Sequence, residues 1–107
     1  MTEVASNREF IATETVDPDG VGPIMRTGEI ADAAIDAIVE DNPDKQVFVV
    51  DRGDYVRITT TDECRLTRAS LEKHLGRDYS LVRLEIEMPS FAGRIRTTDN
   101  EYVWSHH

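Results

Sequence analysis

Between Val21 and Trp104 the apolar pattern passes from a period of two residues to a period near 3.6 and back again, and then repeats that passage. A chain built this way has to place a helix against strands twice over, which narrows it to an α+β domain. Val21–Met25 is short and β-rich, and Pro23, lacking an N–H, marks it as an edge strand or a strand start. From Glu29 to Glu40, Ile30, Ala34, Ile35 and Ile38 recur at helical spacing, with Ala31, Ala33 and Ala37 small enough for close packing, until Asn42-Pro43 ends the run. Gln46–Val50 and Tyr55–Thr60 read as a hairpin joined around Asp51-Arg52-Gly53-Asp54. The second passage opens with a short strand at Cys64–Leu66. A helix capped by Thr67 then runs to Leu75, with Leu66 and Leu71 at staple positions and Gly76 at the stop. Leu81–Met88 alternates as a strand would, with Val82, Leu84, Ile86 and Met88 on one face and Arg83, Glu85 and Glu87 on the other. Pro89 breaks it, Arg94–Arg96 alternates again, and a turn at Thr98-Asp99-Asn100 leads to a last strand at Tyr102–Trp104. The expectation is two βαββ-type repeats with two to three helices.

At 107 residues the chain is the size of one domain, and its 39% hydrophobic content supports a modest core. Cys64 is the only cysteine, so no intramolecular disulfide forms; no apolar stretch opens the chain and none reaches the roughly 18 residues of a membrane span, so the expected location is cytoplasmic. The net charge of −9 disfavours nucleic acid and anionic membrane as partners. That charge is concentrated: residues 1–20 hold five acids and one base, residues 29–44 hold six acids and no base, and the remainder sums to +1. Residues 1–20 lack periodicity and end in the turn signature Asp17-Pro18-Asp19-Gly20. They are expected to be a flexible N-terminal arm ahead of a domain at 21–107, either a frayed terminus or a segment that orders on a partner with Phe10 and Ile11 as its apolar anchor.

No constellation of residues that carries chemistry is evident. His74 has no second ligand placed to complete a metal set and reads as a partly buried structural histidine; His106 and His107 read as tail. Cys64, on a strand and without a Cys-x-x-Cys partner, reads as a small core residue. The six glycines stand singly, with no phosphate-cradling pattern. The anomaly is the first helix. Asp32, Asp36 and Glu40 are spaced i, i+4, i+8 on one face without a neighbouring Lys or Arg, and Glu40 and Asp41 lie at the helix end where the dipole opposes an acid. Such a face is either a solvated surface or a docking face for a basic partner.

Four stretches, VGPIMR (Val21–Arg26), DNPDKQVFVVDRGDYVRI (Asp41–Ile58), LTRASLEKHLGRDY (Leu66–Tyr79) and LEIEMPSFAGRI (Leu84–Ile95), resemble in order the effector proteins of soluble multicomponent di-iron monooxygenases, the MmoB/DmpM family. The likeness is nearest to the effectors of toluene and alkene monooxygenases. It implies a compact domain in which two βαββ units meet at a corner, with no cofactor and no catalysis of its own. It also implies binding to the α subunit of the hydroxylase, where substrate access, oxygen activation and coupling are tuned, in a system that includes a reductase and a Rieske-type ferredoxin. The segment Ser90–Gly93 and the hairpin at Asp51–Tyr55 look like family hallmarks. The partner-interface candidates are thus Phe10, Ile11, Asp32, Asp36, Glu40, Ser90 and Phe91. βαβ repeats also build ferredoxin-like small-ligand modules of the ACT kind, and small isomerases, so the fold by itself does not decide the function.

Overall fold

The computed structural model describes residues 10–12 and 18–106. Along the chain come β1 (Phe10–Ala12), β2 (Gly20–Arg26), α1 (Glu29–Asp41), β3 (Val47–Asp51), β4 (Tyr55–Thr61), β5 (Glu63–Thr67) and α2 (Arg68–Leu75). A 3₁₀ turn, Leu81–Arg83, leads into α3 (Leu84–Glu87), followed by β6 (Ser90–Ala92), β7 (Arg94–Thr97) and β8 (Glu101–Ser105). One sheet has five strands in the order β1, β3, β4, β2, β6; the other has three, in the order β5, β8, β7. The pairings are antiparallel apart from β1 with β3. The α+β class expected from the two changes of period is the class observed.

The chain crosses between the sheets at two single-residue corners. Asp62, at φ 71°, separates β4 from β5, and Gly93, at φ 94°, separates β6 from β7. Asp tolerates the left-handed region better than most residues. Its corner is held by Thr60 Oγ1 donating to the Glu63 carbonyl (2.6 Å) and by the Lys45 ammonium, which donates to the carbonyls of both Thr61 and Glu63. Gly93 leaves no room for a side chain, because a Cβ there would lie 2.7 Å from the Ser105 carbonyl oxygen and 2.8 Å from Val21 Cγ1.

The helix signals operate as read. Thr67 Oγ1 accepts from the Ser70 N–H at 3.2 Å, Gly76 closes α2 at φ 77°, and the staple leucines Leu66 and Leu71 are fully buried. Asn42 does more than end α1. Its side-chain amide donates to the Ile38 carbonyl (2.7 Å) and to the Arg65 carbonyl (2.8 Å), and its Oδ1 accepts from Arg65 N (3.0 Å), so the helix stop is stitched to β5. The hairpin turns where expected, with Asp51 Oδ1 accepting from Gly53 N at 2.8 Å. Ala31, Ala33, Ala34 and Ala37 are buried and bring α1 close to α2 and β5. Around them lie Trp104, Tyr102, Met25, Ile38, Ile58 and Leu84, with the Tyr102 and Trp104 rings edge to face at 6.2 Å. No helix of the described residues is long and apolar enough to cross a membrane.

Three features depart from the expectation. Leu81–Met88 is helical over residues 81–87, not a strand, so the alternating set divides: Leu81, Leu84 and Met88, at i, i+3 and i+7, are buried, while Val82 and Ile86 are exposed. A run this short satisfies both periods, and reaching the core on one side decides between them. Second, β2 is not an edge strand, since it pairs with β4 on one side and β6 on the other. Pro23 is accommodated because the β2–β4 ladder passes from Val21↔Thr60 to Ile24↔Arg57, omitting Gly22 and Pro23. Third, Phe10–Ala12 within the expected arm pairs with Val47–Val49, extending the sheet by a parallel edge strand. The rest of that expected arm, apart from Pro18–Gly20, lies outside the described residues.

Candidate partner-binding surface

The acidic helix divides into a structural half and a free half. Asp41, in the last turn of α1, accepts from Thr67 N (2.7 Å), Thr67 Oγ1 (3.0 Å) and Ser70 Oγ (2.6 Å). Its carboxylate therefore sits at the positive N-terminal end of α2, which offsets its unfavourable place at the end of α1. Glu40 receives His74 Nε2 at 2.9 Å and Lys73 Nζ at 3.1 Å. Those two hydrogen bonds, His74 first, hold its carboxyl below the usual range. Glu29 reaches Arg77 at 3.1 Å, an exposed pair that contributes little. The expectation that the acids of residues 29–44 stand uncompensated is corrected for these three, whose partners come from α2 and the residues on either side of it. Asp32 and Asp36 are exposed, and their carboxylates form no ion pair with any described residue.

His74 is the partly buried structural residue expected, its side chain 15% exposed against Glu40. Cys64 is fully buried, and burial pushes its thiol up to about 12, so it stays protonated and inert at neutral pH. Tyr102, donating to Glu85 Oε2 at 2.8 Å, is raised as well, first by burial and then by that acceptor. Among the described residues no three His, Cys, Asp or Glu side chains converge as a metal site.

The remaining interface candidates are not gathered in one place. Ile11 lies on β1, 37% exposed and in register with Phe48; for Phe10 only the backbone is described. Ser90 and Phe91, on β6, pair with Ile24 and Pro23 at the opposite edge of the five-stranded sheet, about 19 Å away at four strand spacings. Phe91 is 38% exposed and Ser90 is exposed, so these two face outward, whereas Gly93 of the same segment is required by the corner. The sequence reading did not single out Val82 and Ile86, at 65% and 69% exposure the most open of the large apolar side chains described; Tyr55, at the end of the hairpin it did single out, is exposed as well. The signal for the first two was present: Leu81, Leu84 and Met88 fit a helix as well as their alternation fits a strand.

What faces outward is thus a surface of mixed charge with a few open apolar side chains, on a domain whose convergent polar groups hold the fold. The sequence matches the MmoB/DmpM family over residues 19–105. It is 53% identical over 91 residues to the effector subunit of an alkene monooxygenase system from Xanthobacter autotrophicus (strain ATCC BAA-1158 / Py2), the match covering 85% of this chain and 90% of that protein. In fold it is similar to the structure of a phenol hydroxylase–regulatory protein complex, with TM-score 0.69 and 23% identity over 80% of this chain and 97% of that one. It is also similar to the soluble methane monooxygenase regulatory protein B, with TM-score 0.60 and 18% identity over 97% of this chain and 74% of that one. A match running from just before β2 to the end of β8, in sequence and in architecture together, places this chain in the MmoB/DmpM family.

Proposed function

We propose that this chain is the cofactor-free, non-catalytic effector of a soluble di-iron monooxygenase that oxidises alkenes or aromatic hydrocarbons in the cytoplasm. The observation that carries the reading is the 53% identity to an alkene monooxygenase effector subunit across nearly the whole of both chains. Its partner is the hydroxylase, engaged on the α subunit, in a system completed by a reductase and a Rieske-type ferredoxin. The body at 21–107 docks, with residues 1–20 as an arm, and Phe10, Ile11, Asp32, Asp36, Ser90 and Phe91 contribute to the contact; Glu40 acts mainly by holding α1 to α2. Such a protein changes turnover only by binding one hydroxylase conformation more tightly than another, and a tenfold preference shifts that equilibrium by about 1.4 kcal/mol. Its polar networks fix α1, α2 and β5 against one another and hold the corner between β4 and β5, so that the domain meets a partner as a preformed surface.

The test is reconstitution. Hydroxylase, reductase and ferredoxin are assayed with and without this chain, and product is measured per NADH consumed. Addition is expected to raise both rate and coupling, saturating near one chain per hydroxylase active site. Turnover and coupling indifferent to the chain, together with no co-elution with the hydroxylase, refute the reading.

A further inference from the structure

Val82 and Ile86 lie one helical turn apart on the solvent side of the 3₁₀ turn and α3, at 65% and 69% exposure, well above the next large apolar side chain among the described residues, Tyr55 at 45%. The segment that presents them is tied to the rest of the domain. Beneath them Leu81, Leu84 and Met88 are buried in the core, Glu85 is held by the Tyr102 hydroxyl at 2.8 Å, and the Arg83 guanidinium lies 5.4 Å from the centre of the Tyr79 ring. Val82 also forms part of the wall of a groove of about 440 Å³, shared with Ser80, Glu85, Thr97 and Tyr102. Short aliphatic side chains have little rotamer freedom to lose on being covered, which makes them efficient anchors on a segment whose buried side is already packed.

We propose that Val82 and Ile86 are the apolar anchors by which this chain docks into a recess of its hydroxylase that is apolar within and basic at its rim. This rests on the reading under Proposed function and names the surface that reading requires. A second copy of the chain is a poor occupant, because each copy carries −9 and a self-complementary contact would bring Glu85 and Glu87 of the two copies together. A larger partner with a concave site needs only these anchors at its centre. The charge of the rim follows from the groups bordering these anchors, where Glu85, Glu87 and, across the groove, Asp99 outnumber Arg83 and Arg68 on an acidic chain.

The experiment compares the full chain with the double variant Val82→Ser/Ile86→Ser in titration against purified hydroxylase, with thermal unfolding alongside. The variant is expected to melt as wild type, since neither side chain is in the core, and to bind on the order of 100-fold more weakly. Val82→Ile/Ile86→Leu is expected to retain affinity. An environment-sensitive dye on Ile86→Cys, selective because Cys64 is buried, is expected to shift to the blue when hydroxylase is added. A folded serine variant that binds like wild type, or a dye that reports water in the saturated complex, overturns the inference and leaves the functional reading standing. A wild-type chain that does not bind hydroxylase overturns both. An isolated wild-type chain that sediments as a dimer, with the serine variant monomeric, assigns the face to self-association and overturns it too.

Discussion

Replacing Asp41 with alanine removes the group that ties the end of α1 to the start of α2. Its carboxylate takes a backbone N–H and two hydroxyls at 2.6 to 3.0 Å, and one of the donors, Ser70, sits in a buried position. A hydrogen bond to a charged group contributes about 1.5 to 3 kcal/mol net when its partner is left unsatisfied. Here water replaces part of the loss at a half-buried site, and the helix-end effects of α1 and α2, about 0.3 to 1 kcal/mol each, oppose one another. The expected cost is about 2 to 4 kcal/mol, which lowers the melting temperature of a domain this size by about 10 to 25 °C. Asp41→Asn keeps one acceptor oxygen and is expected to cost about half as much. Urea unfolding followed through Trp104, the only tryptophan and fully buried, gives the measurement directly. Asp36→Ala serves as the control and is expected to stay within about 0.5 kcal/mol of wild type. Equal midpoints for Asp41→Ala and wild type, or equal losses for Asp41→Ala and Asp36→Ala, refute the argument that these acids differ in role.

Gly93→Ala is expected to cost about 2 to 4 kcal/mol, from the left-handed φ and from the 2.7 Å approach to the Ser105 carbonyl oxygen, read as a fall in the urea midpoint. Glu40 has a native carboxyl held below its ordinary 4.5, so its contribution is fully present above that value and is lost as pH falls through the lowered one. Glu40→Gln is therefore expected to be less stable than wild type above pH 4.5, with the gap closing in acid; a gap that widens below pH 4.5 refutes the assignment. Asp36→Lys is expected to leave the fold intact or slightly more stable and to slow association with hydroxylase at low salt, the difference fading as salt is raised. Stopped-flow association at the wild-type rate at low salt would make that face solvated surface only.

Local chemistry carried most of the fold. Thr67 and Gly76 bound α2, Asn42 stops α1, and Asp51–Asp54 makes a hairpin, because capping and turn geometry depend on residues a few positions apart. The likeness across Val21–Ile95 carried the family. What a linear reading could not supply were relations across long separations. Glu40 and Asp41 look like misplaced acids at the end of a helix until α2, some thirty residues on, brings Lys73, His74, Thr67 and Ser70 to them. Val82 reads as core on a strand until Leu81, Leu84 and Met88 claim the buried side of a helix. Eight residues satisfy two periods equally, and an unpaired charge is unpaired only with respect to its neighbours in sequence. Both are decided by what the folded chain places on the other side, through burial on one face and a complementary partner on the other.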